Sequence, residues 1–491
     1  MNIQMPNEHE IHQAYLRGET AVVRLFATMG QQMSDLARQF EKQAEALKEL
    51  EARLSKNSHN SSKPPSSDGY GKVKRTESLR PIGQKTNGGQ KWHEGHTLTV
   101  SEREESTEIH EVLQCEQCSA KLLDVESQAH EERQVFDIPA IHIEVTAHRA
   151  EIKICPECGA KNRGQFPNDV KQTVQYGNGV KTWASYFTNQ HFIPTERTTQ
   201  IFEDLVGHRI SEATVLKACS ELSEQIGPTI DAISTQLKQS TVVNFDESGL
   251  RVKGKLHWLH VASTDRLTYY DIHTKRGVEA IDDAGILTEF AGYAVHDHWK
   301  PYFKYENCRH ALCNAHHLRE LKYIEKQYQQ SWAADMSTLL LEIKAAVEKT
   351  TEPASLLLPS QLQTYEKRYD EIVKQGFDVN PREPPKVGEN KKRGRTKQTP
   401  PFNLLTRLKD FKSQVLAFMY NPSVPFDNNQ AERDVRMVKV KQKVSGCFRT
   451  EEGAEQFGRA RAYISTARKN TVNIFKAIKD AFGGNPFIPS A

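Results

Sequence analysis

At Ser240 the hydrophobic pattern changes from a helical period to β-rich runs, and this change constrains the fold more than any other feature. Thr241-Val242-Val243-Asn244-Phe245-Asp246 is a β-branched and aromatic run that ends in a carboxylate. Leu256 to Ser263 and Leu267 to Ile272 read as two further strands, with turns at Lys253-Gly254 and Thr264-Asp265-Arg266. A helical stretch from Gly277 to Phe290 follows, then a second β-like run, Tyr293-Ala294-Val295-His296-Asp297, which also ends in a carboxylate. Three strands in a meander, a helix and a fourth strand make an α/β arrangement. If the first and fourth strands are neighbours, Asp246 and Asp297 meet at one edge of the sheet. Either aspartate alone reads equally as a turn residue or a helix cap.

A third acid lies far downstream, in VPFDNNQAERDVRMVKVKQKVSGCFRT, residues 424–450. Pro425 and Asp427-Asn428-Asn429 are turn and helix-start residues. Glu432 comes next, followed by Arg433, Arg436, Lys439, Lys441, Lys443 and Arg449. Asn429-x-x-Glu432 fits a capping box, and Glu432 can pair with Arg436 one turn on. The same composition suits a divalent cation beside a polyanion. Together, two strand-end aspartates and a helix-borne glutamate can form an oxygen cage for two divalent ions about 4 Å apart. Mg²⁺ is the expected ion, with Mn²⁺ as a substitute. The cations after Glu432 would then neutralise phosphates of a bound strand.

Upstream, Val22, Phe26, Met29, Met33, Leu36, Phe40, Gln43, Leu47, Leu50 and Leu54 alternate at spacings of four and three, an a/d seam with one polar member. The spacing predicts a coiled coil that joins copies of the chain, and a single amphipathic helix is the competing reading. Residues 55–95 are rich in Ser, Asn, Pro and Gly and carry scattered lysines and arginines, the signature of a basic linker. Cys115-x-x-Cys118 and Cys155-x-x-Cys158 form two knuckles, separated by a segment that alternates in places. Four soft ligands so arranged predict a structural Zn²⁺ in a ribbon-like domain. A redox role lacks a thioredoxin-like βαβ setting. The segment IFEDLVGHRISEATVLKACSEL breaks at Gly207 and resumes behind Ser211, which fits a helix-turn-helix reader or an ordinary helical hairpin.

Between Asp297 and Glu432 the chain from Tyr302 to about Gln375 reads as long helices. Cys308-x-His310-x-x-Cys313-x-x-His316-His317 lies within it, either as a second metal site or, the preferred reading, on a helix near the three acids. Lys391, Lys392, Arg393 and Arg395 belong to a basic loop before a helix from Leu404 to Tyr420, and this loop is a DNA-contact candidate. Basic and acidic residues nearly balance, 66 against 63, so placement of charge carries more information than its sum. No apolar run is long enough to span a membrane and no signal-peptide pattern is visible, so the expected location is the cytoplasm.

The stretches SKNSHNSSKPPSSD, FDESGLRVKGKLHWLHVAST, CNAHHLREL, GRTKQTPPFNLLTRL and FDNNQAERDVRMVKVKQKVSGCFRT resemble, in order, transposases of the Insertion Sequence 66 family. The resemblance implies a leucine-zipper N-terminus, a zinc-binding domain and a ribonuclease-H-like core with a DDE triad. Carried over by position, the triad is Asp246, Asp297 and Glu432. His298-Trp299 stand where the family usually has Gly-Tyr. The expected organisation is a coiled coil over 1–54, a linker over 55–95, a zinc domain over 96–175 and a helical, DNA-binding region over 176–238. The catalytic core follows over 239–305 and 401–491, with a helical insertion over 306–400. The expected activity is cutting element ends and joining the 3′-hydroxyls to target DNA. A DNA-binding regulator with an inactive nuclease fold and a simple endonuclease are the alternatives. Partners are then double-stranded DNA (terminal inverted repeats and target), further copies of the chain and small accessory proteins.

Overall fold

A computed structural model describes residues 6–54, 98–103, 105–349, 357–382 and 398–490. The expected linker and the basic loop with Lys391, Lys392, Arg393 and Arg395 lie outside the described residues. The chain divides into two compact units: Met1–Val73, Pro167–Gln200 and Ile210–Ala491 in one, Lys74–Phe166 and Ile201–Arg209 in the other.

The N-terminal helices are α1 (Glu8–Leu16) and α2 (Glu19–Leu54). Asn7 and Glu10 close a reciprocal capping box at the start of α1, satisfying two helix-end donors. Along α2, Phe26, Met33, Phe40, Leu47 and Leu50 are exposed, at 68, 63, 62, 60 and 53 %. These five large apolar side chains form an exposed stripe along the helix.

The smaller unit carries a short hairpin, β1 (Ile152–Ile154) and β2 (Lys161–Arg163), paired antiparallel across Cys155–Cys158. The chain runs on through α3 (Asn178–Ser185), α4 (Thr195–Val206), α5 (Glu212–Gln225) and α6 (Gly227–Gln239). Ser211 caps α5 by accepting from the Thr214 N–H at 3.1 Å, as its position before Glu212 predicts. Val215, Ala218 and Leu222 bury one face of α5.

A five-stranded mixed sheet follows: β3 (Val242–Val252), β4 (Lys255–Ser263), β5 (Thr268–His273), β6 (Tyr293–His296) and β7 (Arg309–Leu312). Its order is β5-β4-β3-β6-β7. The first three strands are the expected antiparallel meander, and β6 and β7 add in parallel. Lys253 and Gly254 both adopt positive φ, 50° and 76°, which matches the twist of a tight hairpin. The helix expected over 277–290 is shorter: α7 spans Val278–Ala284 and ends where Gly285 turns to φ 65°. A left-handed residue just past a helix end caps the free carbonyls and stops propagation.

Strand β7 corrects the expectation of unbroken helices from Tyr302. A four-residue run is too short for periodicity to separate strand from helix, and pairing with β6 decides it. Helices α8 (Asn314–Tyr328), α9 (Ser331–Glu348) and α10 (Pro359–Val379) follow, within the span read as a helical insertion. The single helix expected over 404–420 is three pieces, α11 (Pro400–Asp410), α12 (Lys412–Val415) and α13 (Ala417–Tyr420). The chain closes with α14 (Asn429–Ser445), α15 (Glu451–Lys469) and α16 (Ile474–Phe482).

The sheet separates two cores, as alternation along a strand requires. Ala294 of β6 joins one with Ile230, Val435, Tyr463 and Ile478. Its neighbour Val295 joins the other with Leu321 of α8, Trp332 of α9, Leu405 of α11 and Phe418 of α13. Helix α14 thus packs on one face of the sheet and these four helices on the other. Among the described residues, no helix is long and apolar enough to cross a membrane.

Candidate active site

Strands β3 and β6 are parallel neighbours with Asn244 opposite Val295. Asp246 and Asp297 each lie two residues further on, so the register brings them to the same level of the sheet. One oxygen of each is held by the backbone: Asp246 Oδ1 accepts from the Glu247 N–H at 2.9 Å, and Asp297 Oδ1 from the Trp299 N–H at 2.8 Å. Fixing one oxygen orients the other.

Glu432 reaches the same place from α14, and the way α14 begins explains why. Asn428, not Asn429, is the N-cap residue, and its side chain makes no cap bond. Asn428 is buried and ties the helix start to β3, donating to the Phe245 carbonyl at 2.7 Å and accepting from Asn244 Nδ2 at 2.8 Å. Its own N–H donates to Cys313 Sγ at 3.1 Å. The Asn429–Glu432 capping box is therefore not formed, since Glu432 sits one residue too far into the helix for that role. Its pairing with Arg436 is present at 3.8 Å, beside longer-range partners Arg319 at 3.6 Å and His316 at 3.9 Å. Glu432 Oε1 is buried and has no hydrogen-bond partner.

The acids influence one another's charge. Burial pushes the Asp246 carboxyl well above the usual range, and the negative charges of Glu247, Asp297 and Glu432 add to it. Asp297 is pushed up to about 7, by burial first and then by Glu247, with Glu432 contributing. Buried carboxyls beside other acids, as Asp246 and Asp297 are, hold their charge poorly unless a cation joins them.

Glu247 was not singled out by sequence as part of this cluster. It is buried, accepts from Tyr302 Oη at 2.7 Å and from Arg276 Nε at 3.1 Å. The Arg276 guanidinium lies 4.8 Å from the Trp258 ring and 4.4 Å from the Trp299 ring, held between two aromatic faces. The Trp of the His298-Trp299 pair thus supplies both the N–H that orients Asp297 and one wall around Arg276. No sequence spacing links Glu247, Arg276 and Tyr302; only the fold does.

The cations after Glu432 divide into two sets. Arg433, Arg436 and Lys443 are exposed. Lys439 instead donates to the Gly249 carbonyl, and buried Lys441 donates to the Gly446 carbonyl at 3.0 Å over the Phe448 ring. Burial pulls the Lys441 ammonium down to about 8. Lys439 is thus tied to strand β3 and Lys441 to the loop that follows α14, whereas Arg433, Arg436 and Lys443 face solvent.

The 308–317 cluster also divides. His310 Nδ1 lies 3.0 Å from His296 Nε2, and His317 Nδ1 lies 3.0 Å from Asn314 Oδ1. Cys313 and His316 turn instead to Glu432. Among the described residues these three are the group whose metal-ligating atoms all lie within 4.8 Å of one another.

In the smaller unit each C-x-x-C knuckle is built alike. Cys155 N–H donates to the Ala160 carbonyl and Cys115 N–H to the Ala120 carbonyl, both at 2.9 Å. Backbone hydrogen bonds from Cys118 and Gln117 lower the Cys115 thiol, and those from Cys158 and Glu157 lower Cys155. The four sulfurs are not gathered into one group within 4.8 Å.

Comparison with known families closes the question of kinship. A family of unknown function matches residues 3–99. No curated protein matches the chain. The model of the Transposase IS66 family matches residues 173–456, which take in the whole five-stranded sheet, the insertion, α14 and all three candidate acids. The chain belongs to the Transposase IS66 family.

Proposed function

We propose that this chain is a DNA transposase that cuts the ends of its element and joins the 3′-hydroxyls to target DNA, with Asp246, Asp297 and Glu432 as the catalytic acids. The observation that carries this reading is the parallel β3–β6 register, which levels two aspartates beside a glutamate from α14. Strand order β5-β4-β3-β6-β7, with an antiparallel meander extended by parallel strands, supports a ribonuclease-H-like core. All three acids are present, which favours an active enzyme over a DNA-binding regulator with a dead nuclease fold.

The donor set fits divalent cations. Asp246 and Asp297 are hard oxygen ligands whose second oxygens are unconstrained by the backbone bonds above, and Glu432 makes only long ion pairs. Two bound Mg²⁺ ions, or Mn²⁺ in their place, would supply charge neutralisation at the phosphate and stabilise the attacking and leaving oxygens. Asp246, Asp297 and Glu432 would hold them. Arg433, Arg436 and Lys443 project from α14 beyond Glu432 and would meet backbone phosphates, which positions a strand without reading its sequence. Glu247, held by Arg276 and Tyr302, fixes the strand next to Asp246.

The test is incubation of the purified chain with the DNA ends that flank its element, Mg²⁺ and a target plasmid. Joined products are expected. Nicked ends that never join would point to an endonuclease, and binding without any cut would point to a regulator.

Two accompanying roles belong to the same reading. Cys115, Cys118, Cys155 and Cys158 would hold one structural Zn²⁺, with each knuckle already closed by backbone hydrogen bonds and the two pairs coming together on the ion. Zinc content should fall by one per chain in a Cys155→Ser variant, and equal zinc in both proteins would remove this assignment. The α2 stripe would hold chains together as a coiled coil. Placing lysine at Leu47 and Leu50 puts two charges in the seam, so light scattering should register a loss of mass. An unchanged mass would move self-association elsewhere.

A further inference from the structure

We infer that Cys313, His316 and Glu432 form a site for a soft divalent ion of the zinc class, separate from the Mg²⁺ pair but sharing Glu432 with it. Two observations carry it. The three ligand atoms lie within 4.8 Å of one another. Ligands around a tetrahedral zinc, with bonds of about 2.0–2.3 Å, stand roughly 3.3–3.8 Å apart, so a contraction of about an ångström completes the site. And two of the three ligands are left unsatisfied: His316 Nδ1 and Glu432 Oε1 are both buried with no hydrogen-bond partner, 3.9 Å from each other. Orphaned polar atoms in a desolvated position cost free energy, and two orphans facing one another beside a thiol are what an ion between them would satisfy.

The frame around the group is already rigid. Cys313 is buried at the N-cap of α8, its N–H bound to the His296 carbonyl at 3.0 Å, and its sulfur accepts the Asn428 N–H at 3.1 Å. A backbone N–H aimed at a cysteine sulfur is the bond that steadies a thiolate ligand. His316 follows three residues later in the first turn of α8, on the same face. Glu432 comes from α14, whose start is fixed by Asn428. The neighbouring charges are Arg319, 3.6 Å from Glu432 Oε2, and Arg436, 3.8 Å from the same oxygen. Both address Oε2 and leave Oε1 to the site. One thiolate, one imidazole and one carboxylate oxygen select zinc over magnesium, because magnesium demands six hard oxygens. Three protein ligands leave a fourth position open.

The sharing of Glu432 rests on the cleavage reading; the site itself does not, because ion binding is read without DNA. The experiment is titration of the full chain with Co²⁺, following the thiolate-to-cobalt charge-transfer band and the cobalt retained per chain after desalting. Cys313→Ser and His316→Gln should each lose one cobalt per chain relative to the unmodified protein. Cys155→Ser should lose intensity independently, so the knuckle ion and this one are counted apart. Glu432→Gln should weaken the same site by at least about tenfold. Excess Mg²⁺ should not displace the ion. Serine can still accept the Asn428 N–H, so the fold should survive Cys313→Ser. If it does not, His316→Gln decides, because that side chain carries no hydrogen bond to lose. Unchanged cobalt in His316→Gln would overturn the site and reduce Glu432 and His316 to a weak ion pair.

Discussion

Glu432→Gln should abolish end cleavage while leaving DNA-end binding close to normal. The change keeps the shape of the side chain and removes its negative charge. Were Glu432 only a helix cap, glutamine would serve almost as well, and the cap geometry is absent in any case because Asn428 occupies the N-cap position. As a cation ligand, the loss of charge should lower the cleavage rate by about three orders of magnitude, equivalent to ~4 kcal/mol of transition-state stabilisation. Arg433, Arg436 and Lys443 remain exposed beside it, so a gel shift should change little. Near-normal cleavage by this variant would return Glu432 to a structural role.

The same site predicts a pH dependence. Asp297 has a folded-state pKa raised to about 7, mainly by burial. A carboxyl with a raised folded pKa contributes stability that is full below its unfolded pKa, near 4, and is lost as pH rises toward 7. Cation-free protein should therefore melt lower at pH 7 than at pH 5 on account of this group. Protons and Mg²⁺ compete for it, so cleavage at limiting Mg²⁺ should climb with pH through about 7. A flat profile would mean that Asp297 does not meet the ion.

The second large effect concerns stability. Asp434, two residues past Glu432, is buried on the opposite side of α14 and anchors the helix to its neighbours. It accepts from Lys469 Nζ at 2.8 Å, Thr268 Oγ1 at 3.2 Å and Gln430 Nε2 at 3.2 Å, while its carbonyl accepts from Tyr270 Oη at 2.9 Å. Removing one partner of a buried ion pair strands the other charge, which costs about 3–5 kcal/mol. Lys469 keeps two carbonyl acceptors, Thr264 and Leu267, so Asp434→Ala should cost about 3 kcal/mol, the lower end of that range. Asp434→Asn, which preserves the hydrogen bonds but not the charge, should lose less. Denaturant melts compare the three proteins, and per folded molecule cleavage should be retained, unlike in Glu432→Gln. An unchanged midpoint for Asp434→Ala would show that this pair does not hold α14 in place.

Much of the sheet was legible because its signals are local. The β-branched run before Asp246, the Lys253-Gly254 turn and the Tyr293–His296 strand each declare themselves within six residues. Strand β7 was not legible, since Arg-His-Ala-Leu has no period long enough to read and owes its state to β6. The reading of Glu432 as a site residue rested on its company, and the fold supports that company through Asn428. Asn428 itself looked like a generic helix-start residue; its bonds to Asn244 and Phe245 span most of the domain in sequence and leave no local trace. The same holds for Glu247 with Arg276 and Tyr302. Lys439 and Lys441 were read by composition alone, and the carbonyls of Gly249 and Gly446 that hold them come from chain outside α14 and leave no trace in the local pattern. Cys313 and His316 lay inside a cluster whose other members turned elsewhere, so spacing alone overstated the set and hid the partner, Glu432.

In the proposed function Asp246, Asp297 and Glu432 act as one catalytic site. Its most direct test is the yield of joined DNA from element ends and target plasmid, measured for the unmodified chain, Asp246→Asn and Asp297→Asn at concentrations where gel shift shows equal end occupancy. Joined product is expected from the unmodified chain and at most about one part in a thousand of it from either variant. Joining by Asp246→Asn at a rate close to that of the unmodified chain would contradict it.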